Sequence, residues 1–231
     1  RLRRFLDYFE SDSQLRDILI TGGDALMSSN TSLRRILKAV LQMAKRKREA
    51  NLTRPDGEKY AEMVRVRLGT RLPVYLPQRV TDSLVKVLSD FRSRACKVGF
   101  KQFVIQTHFQ SAMEMTPEAA KAVRRLIDAG WSITNQLVFT SGVSRRGHTA
   151  KLRKVLNDAG VLSYYTFAVK GYAENRGHFA PLARVVQEQL EEKHAGAIPE
   201  EWHHELRSFT DDPVNSRGTI NRVRDSATIP F

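Results

Sequence analysis

Asp17-Ile18-Leu19-Ile20-Thr21-Gly22-Gly23-Asp24 is a short apolar run that ends in a glycine pair and an acid. Such a run, bounded by turn formers, reads as a short buried strand. After it, residues 32–48 carry Leu33, Ile36, Leu37, Val40, Leu41 and Ala44 at the spacing of one helical face. Strand, turn and helix in that order form the β–loop–α repeat from which parallel sheets are built.

The repeat recurs along the chain. Residues 2–9 read as the end of a helix, and a basic insert at residues 45–58, with Pro55 and Gly57, reads as a surface loop. Met63-Val64-Arg65-Val66-Arg67-Leu68 then alternates with the period of a strand. Thr81 or Asp82 caps the next helix, Phe103-Val104-Ile105-Gln106 is the next strand, and a helix opens at Pro117. Residues 133–139 form a strand, residues 149–158 a helix, and residues 162–169 the last clear strand. Gly99, Gly130 and Gly160 each stand between a helix and a strand, where a left-handed cap is wanted. The fold class is therefore α/β, with parallel strands alternating with helices. Five strands make either an incomplete (β/α) barrel or an open doubly wound sheet.

Pro181 opens a further helix to about His194, and the remainder is polar and without period. This places a barrel core at residues 1–198 and an irregular C-terminal segment at 199–231. Bulk properties narrow the class. The 231 residues are 41% hydrophobic, enough for a sizeable core. No run of about 18 apolar residues exists to span a membrane. The Arg1-Leu2-Arg3-Arg4 start resembles neither an initiating segment nor a signal peptide. A single cysteine, Cys96, makes no internal disulfide and no zinc or cluster site, so a reducing cytoplasm is expected and Cys96 reads as a small core filler. The net charge of +13 permits phosphates, acidic metabolites or nucleic acid as partners without choosing among them.

In parallel β/α folds the chemistry sits on the loops after the strands' C-terminal ends. Here those are Gly22-Gly23-Asp24, Gly69-Thr70-Arg71, Thr107-His108-Phe109, Thr140-Ser141-Gly142 through Arg146, and Lys170-Gly171-Tyr172. Gly22 and Gly23 would let a ligand approach the backbone, and Asp24 would receive an ammonium group or simply cap the following helix. Arg67, Arg71 and Arg79, on a segment stiffened by Pro73 and Pro77, suit a phosphate or carboxylate, or else are solvated surface. His108 is a candidate hydrogen-bond donor or general base. His203 and His204 are adjacent and would point apart, which argues against zinc. Of Asn135 and Gln136, one is expected to face a ligand, the alternative being a pair satisfied within the sheet. Tyr164 and Tyr165 are expected on opposite faces of the last strand, both packed in the core.

Taken together, five segments resemble the lysine 2,3-aminomutase family of radical S-adenosylmethionine (SAM) enzymes. They are Ile18-Leu19-Ile20-Thr21-Gly22-Gly23-Asp24-Ala25-Leu26, Val66-Arg67-Leu68-Gly69-Thr70-Arg71-Leu72-Pro73-Val74 with Leu76-Pro77-Gln78-Arg79, Thr107-His108-Phe109, Thr134-Asn135-Gln136, and Tyr164-Tyr165. The resemblance implies a partial barrel that uses SAM, a [4Fe-4S] cluster and pyridoxal 5′-phosphate to shift an amino group between neighbouring carbons of an amino acid. A reductant such as flavodoxin or ferredoxin is implied as partner, and assembly of identical chains is left open. Gly22, Gly23 and Asp24 match the turn that receives the SAM amino group. Thr107, His108 and Gln136 match positions near SAM, and Arg67, Arg71 and Arg79 match a segment associated with anionic groups of the cofactors.

The sequence also departs from the family. The three-cysteine cluster motif and the pyridoxal lysine segment do not occur in it, so the chain as given is expected to be an inactive piece of a longer enzyme, with no metal ligands and no assigned catalytic residue. Where lysine enzymes carry an aspartate for the substrate's side-chain ammonium, this chain has Arg145 followed by Arg146. An arginine attracts a carboxylate and points to an acidic substrate such as glutamate. The competing readings are a radical SAM protein of other chemistry and a non-catalytic basic barrel that binds RNA. The second is disfavoured because no RNA-binding module with stacking aromatics is present.

Overall fold

Five parallel strands lie side by side in chain order, β1 (Asp17–Ile20), β2 (Arg65–Gly69), β3 (Gln102–Thr107), β4 (Ser132–Val138) and β5 (Val161–Phe167), in a computed structural model that describes residues 2–140, 142–144 and 147–167 together with His204. Helices α1 (Leu2–Ser11), α2 (Asn30–Ala50), α3 (Leu72–Tyr75), α4 (Asp82–Cys96), α5 (Pro117–Asp128) and α6 (His148–Asp158) come before and between them. Right-handed crossovers between neighbours in unbroken order put every connecting helix on the same face of the sheet. A doubly wound sheet would need a reversal of order, and none occurs among these strands. The architecture is therefore a partial (β/α) barrel.

Side-chain alternation agrees. Ile18, Val66, Leu68, Phe103, Ile105, Ile133 and Leu137 point to the helical face and join the hydrophobic core. Phe91 of α4 meets Phe100, Phe103 and Trp131 there, with ring centroids 6.2 to 6.3 Å apart. The other face carries Asp17, Arg65, Arg67, Gln102, Gln106, Thr134 and Gln136 at the alternate positions, and Leu19 and Leu162 on it are exposed.

Helix starts follow the expected chemistry: Ser29, Thr81 and Thr116 each accept a hydrogen bond from the first turn of α2, α4 and α5. Gly99, Gly130 and Gly160 have positive φ, as their place between helix and strand required.

Three expectations are corrected. The insert at residues 45–58 is not all loop, because α2 runs to Ala50. The reason is Lys47, which is buried with Met43 and Ala44 and continues the packed face of the helix. Its Nζ donates to the carbonyls of Phe9 (3.0 Å) and Leu15 (2.8 Å), tying α2 to the end of α1. Cys96 is not a core filler but an exposed residue at the last position of α4. Tyr164 and Tyr165 do not divide between the faces or pack in the core. A register shift places Asn135 opposite Ser163 and Gln136 opposite Tyr165, and both tyrosines are exposed with rings 4.3 Å apart. The helix expected from Pro181, the boundary at residue 198, the segment 199–231 apart from His204, and the Lys170-Gly171-Tyr172 loop lie outside the described residues.

Replacing Lys47 by Met keeps the packed stem and removes both donors, leaving two part-buried carbonyls unmatched. Chemical denaturation is expected to show a loss of about 1–3 kcal/mol.

Candidate functional site at the C-terminal edge of the sheet

The loops that leave the strands' C-terminal ends are joined by side chains into one continuous line. After β1, Gly22 and Gly23 take φ values of 112° and 87°, which side-chain-bearing residues rarely adopt. A β-carbon at either place would meet no atom within 4 Å, so the space over the turn is open. Asp24 then accepts three hydrogen bonds. Oδ1 takes Leu26 N–H at 2.9 Å and the Thr70 hydroxyl at 2.6 Å, and Oδ2 takes Arg71 N–H at 2.6 Å. It thus caps the short helix Ala25–Met27 and also ties the β1 loop to the β2 loop.

Arg71 carries the line onward. Its Nε donates to the His108 carbonyl (3.2 Å), its Nη2 lies 3.8 Å from Glu114 Oε1, and its guanidinium sits over the Tyr75 ring at 4.2 Å. Glu114 Oε2 accepts from Gln110 N–H and Ser111 N–H, which fixes the loop after β3. The Gln136 carbonyl on β4 lies near the His108 imidazole and favours its protonated form. Asn135 closes the line by accepting from Phe109 N–H (2.6 Å) and donating to Phe109 O (3.0 Å). Asn135 is therefore satisfied within the sheet, while the Gln136 side chain, half-buried on the opposite face, makes no hydrogen bond to another described residue.

The three arginines matched to a segment associated with anionic groups have separate partners. Arg71 belongs to the strand-end line. Arg67 lies within β2, where Nε and Nη2 each meet an Asp17 oxygen at 3.0 Å and Nη1 is 3.4 Å from Gln106 Oε1. Arg79 spends its Nη2 on Ser28 O (2.8 Å) and Asn30 Oδ1 (2.7 Å), holding the entrance to α2. Thr107 alternates with Phe103 and Ile105, so its buried hydroxyl lies on the helical side of the sheet and not toward the open face. Arg145 lies outside the described residues.

Sequence reading missed Asp17, Arg65, Gln106, Thr70 and Glu114. For the first three a signal was present: polar residues at every second place in otherwise apolar strands mark a face that helices do not cover. Thr70 stood in a loop already singled out, but its partner Asp24, 46 positions away, was not legible, and for Glu114 there was no signal, since Arg71 stands 43 positions away.

Three observations bear on SAM: an open glycine turn with exposed backbone, a line of oriented dipoles beside it, and the half-buried Gln136 amide. They fit an amino-acid headgroup bound along this edge. A [4Fe-4S] cluster finds no such fit, since one exposed cysteine on α4 is not a ligand set, and the described residues hold no metal-binding group of three His, Cys, Asp or Glu. A groove of about 780 Å³ among the described residues lies elsewhere, between α1, α2 and Tyr60.

Removal of the Asp24 carboxylate in Asp24→Ala frees three donors and is expected to cost about 2–3 kcal/mol in chemical denaturation. A second outcome concerns pH. Burial lowers the His108 pKa below the ordinary 6.5, the Gln136 carbonyl opposes this, and the Arg71 charge adds to it. With the folded value below the unfolded one, the unfolded chain binds more protons between the two. Stability is full above about pH 6.5 and falls as pH drops through the folded value, and His108→Gln flattens this slope in denaturation curves across pH.

No family model matches the chain. Individual proteins do. An uncharacterized KamA family protein of Methanocaldococcus jannaschii is 34% identical over 214 residues, 93% of this chain and 29% of that protein. The L-lysine 2,3-aminomutase of Clostridium subterminale is 32% identical over 168 residues, 72% of this chain and 34% of that enzyme. The glutamate 2,3-aminomutase of Clostridioides difficile is 29% identical over 179 residues, 77% of this chain and 36% of that enzyme. The chain thus spans about a third of the length of the curated relatives it matches. With a partial parallel barrel, and with relatives of this kind along most of its length, the chain belongs to the lysine 2,3-aminomutase family.

Proposed function

We propose that this chain forms the cofactor- and substrate-facing part of a radical SAM, pyridoxal-phosphate-dependent amino acid 2,3-aminomutase. The observation that carries the reading is the strand-end line from Asp24 through Arg71 and His108 to Gln136, set beside an open Gly22-Gly23 turn. Carbonyls of the turn accept an ammonium group, and the line keeps them in place before a ligand arrives, so little ordering is left to binding. Asp24 holds the turn and adds negative charge next to that ammonium. His108, kept neutral near pH 7, offers a donor or acceptor without adding a second positive charge next to Arg71. Gln136 supplies an amide that hydrogen-bonds a polar edge of the ligand.

SAM would be held here by the Gly22-Gly23 turn, Asp24, His108 and Gln136, and would supply the hydrogen-abstracting chemistry of a 1,2 amino shift, with a flavodoxin or ferredoxin as the class of reductant. The cluster that passes the electron and the lysine that holds pyridoxal phosphate are assigned to no residue described here. For the substrate, Arg145 next to Arg146 favours a carboxylate over an ammonium side chain, which makes glutamate the preferred amino acid. A reducing cytoplasm suits such a cluster. No described helix is long and apolar enough to cross a membrane.

The test uses the full-length protein, assembled anaerobically with iron and sulfide, and follows 5′-deoxyadenosine formation from SAM with glutamate or lysine present. Glutamate-stimulated cleavage with formation of a β-amino acid is the expected result. Stimulation by lysine alone removes the argument from Arg145, and no cleavage with an intact cluster overturns the aminomutase reading.

A further inference from the structure

Three loops at the C-terminal edge of the sheet hold large apolar side chains out into water. Met27 follows β1, Tyr75 and Leu76 stand at the end of α3 after β2, and Met113 follows β3. They are 65%, 62%, 46% and 86% exposed in that order. Contacts between the loops bring them together. Arg79 donates to Ser28 O, next to Met27, while its own backbone N–H bonds to Leu76 O at 2.9 Å. Arg71 lies over the Tyr75 ring and reaches Glu114, next to Met113. One apolar patch therefore runs across the exits of β1, β2 and β3, which are adjacent in the sheet.

A single exposed methionine needs no explanation, but four apolar side chains grouped on loops that Asp24, Arg71 and Arg79 hold in place mark a surface for another protein. Methionine adapts its shape to a partner, and a patch this small suits the transient contact, below about 1,200 Å², that redox proteins make. The charge around it narrows the choice. The first two turns of α2, α4 and α5 begin at this edge and carry Arg34, Arg35, Lys86, Lys121 and Arg124, all exposed and none in an ion pair with a described residue. Asp82 in those turns is held by Arg125, which leaves Glu118 as the one acid there outside an ion pair among the described residues. A partner with an acidic face around an apolar centre is complementary to this arrangement.

We infer that the patch docks an acidic one-electron donor protein of the flavodoxin or ferredoxin class. The inference rests on the aminomutase reading and adds to it the surface on which the reductant sits. The same three loops carry Asp24, Arg71 and His108, so a donor seated on Met27, Tyr75, Leu76 and Met113 stands beside the line that faces the ligand. The donor is oxidised by one electron, and that electron is taken up in breaking a carbon–sulfur bond of SAM.

The test measures equilibrium binding of a flavodoxin and of a ferredoxin, both oxidised, to the full-length protein as wild type, Met27→Glu, Met113→Glu and Leu52→Glu. Leu52, 82% exposed just after α2, controls for an apolar side chain lost elsewhere. SAM cleavage is driven in parallel by the reduced donors and by dithionite, a small reductant that needs no docking surface. At least one donor is expected to bind, more weakly as salt rises. Met27→Glu and Met113→Glu are each expected to raise its Kd about tenfold or more, and Leu52→Glu to leave it unchanged. Dithionite-driven cleavage is expected to be equal in all four. A wild type that binds neither donor, or variants that bind as the wild type does, overturn the docking surface alone. Loss of dithionite-driven cleavage in Met27→Glu or Met113→Glu, or a change in their oligomeric state, assigns the patch to packing within the full-length protein or between its copies, and also overturns the inference. A wild type that no reductant drives to cleave SAM overturns the function and the docking surface with it.

Discussion

Parallel pairing of the five strands in unbroken chain order is the constraint on which the rest of the structure depends. Right-handed crossovers then leave no choice of side for the helices, and the whole hydrophobic core gathers between them and one face of the sheet. The second face receives no helical cover from the described residues. Parallel sheets are rarely left open on one side, so this face and the loops above it are where a barrel admits its ligands.

What holds those loops is a set of contacts between residues far apart in the chain. Asp24 reaches Thr70 and Arg71, Arg71 reaches His108 and Glu114, and Asn135 clasps Phe109. Each contact joins one strand's exit to that of its neighbour. Such a line serves stability and binding together, since loops already fixed lose little freedom when a ligand arrives. It also explains part of the chain's high positive charge. Arg67, Arg71 and Arg79 are engaged with Asp17, Glu114 and backbone carbonyls, which makes them framework as much as field.

Kinship with lysine and glutamate 2,3-aminomutases is distributed along most of the chain, as expected if the shared feature is the barrel and its strand-end loops. Substrate choice lies in a few side chains, because an ammonium and a carboxylate differ in the charge they require and hardly in the fold that presents it.

Period and punctuation determined the order of strands and helices from the sequence alone. Apolar alternation marked β1 to β5, and Ser, Thr and Gly marked the helix ends, because these signals act over a few residues and survive without tertiary context. The Gly-Gly-Asp turn and His108 stood out for the same reason, as unusual residues at strand ends, and Asn135-Gln136 as a polar pair within an otherwise apolar strand. Tertiary structure alone decided the rest. It buried Lys47 against the carbonyls of Phe9 and Leu15 and carried α2 to Ala50, and it brought Tyr164 and Tyr165 together beside a bulge. It also divided three similar arginines among a strand, a loop and a helix entrance. Each of these outcomes turns on a partner tens of residues away, and local spacing carries no information about such distances.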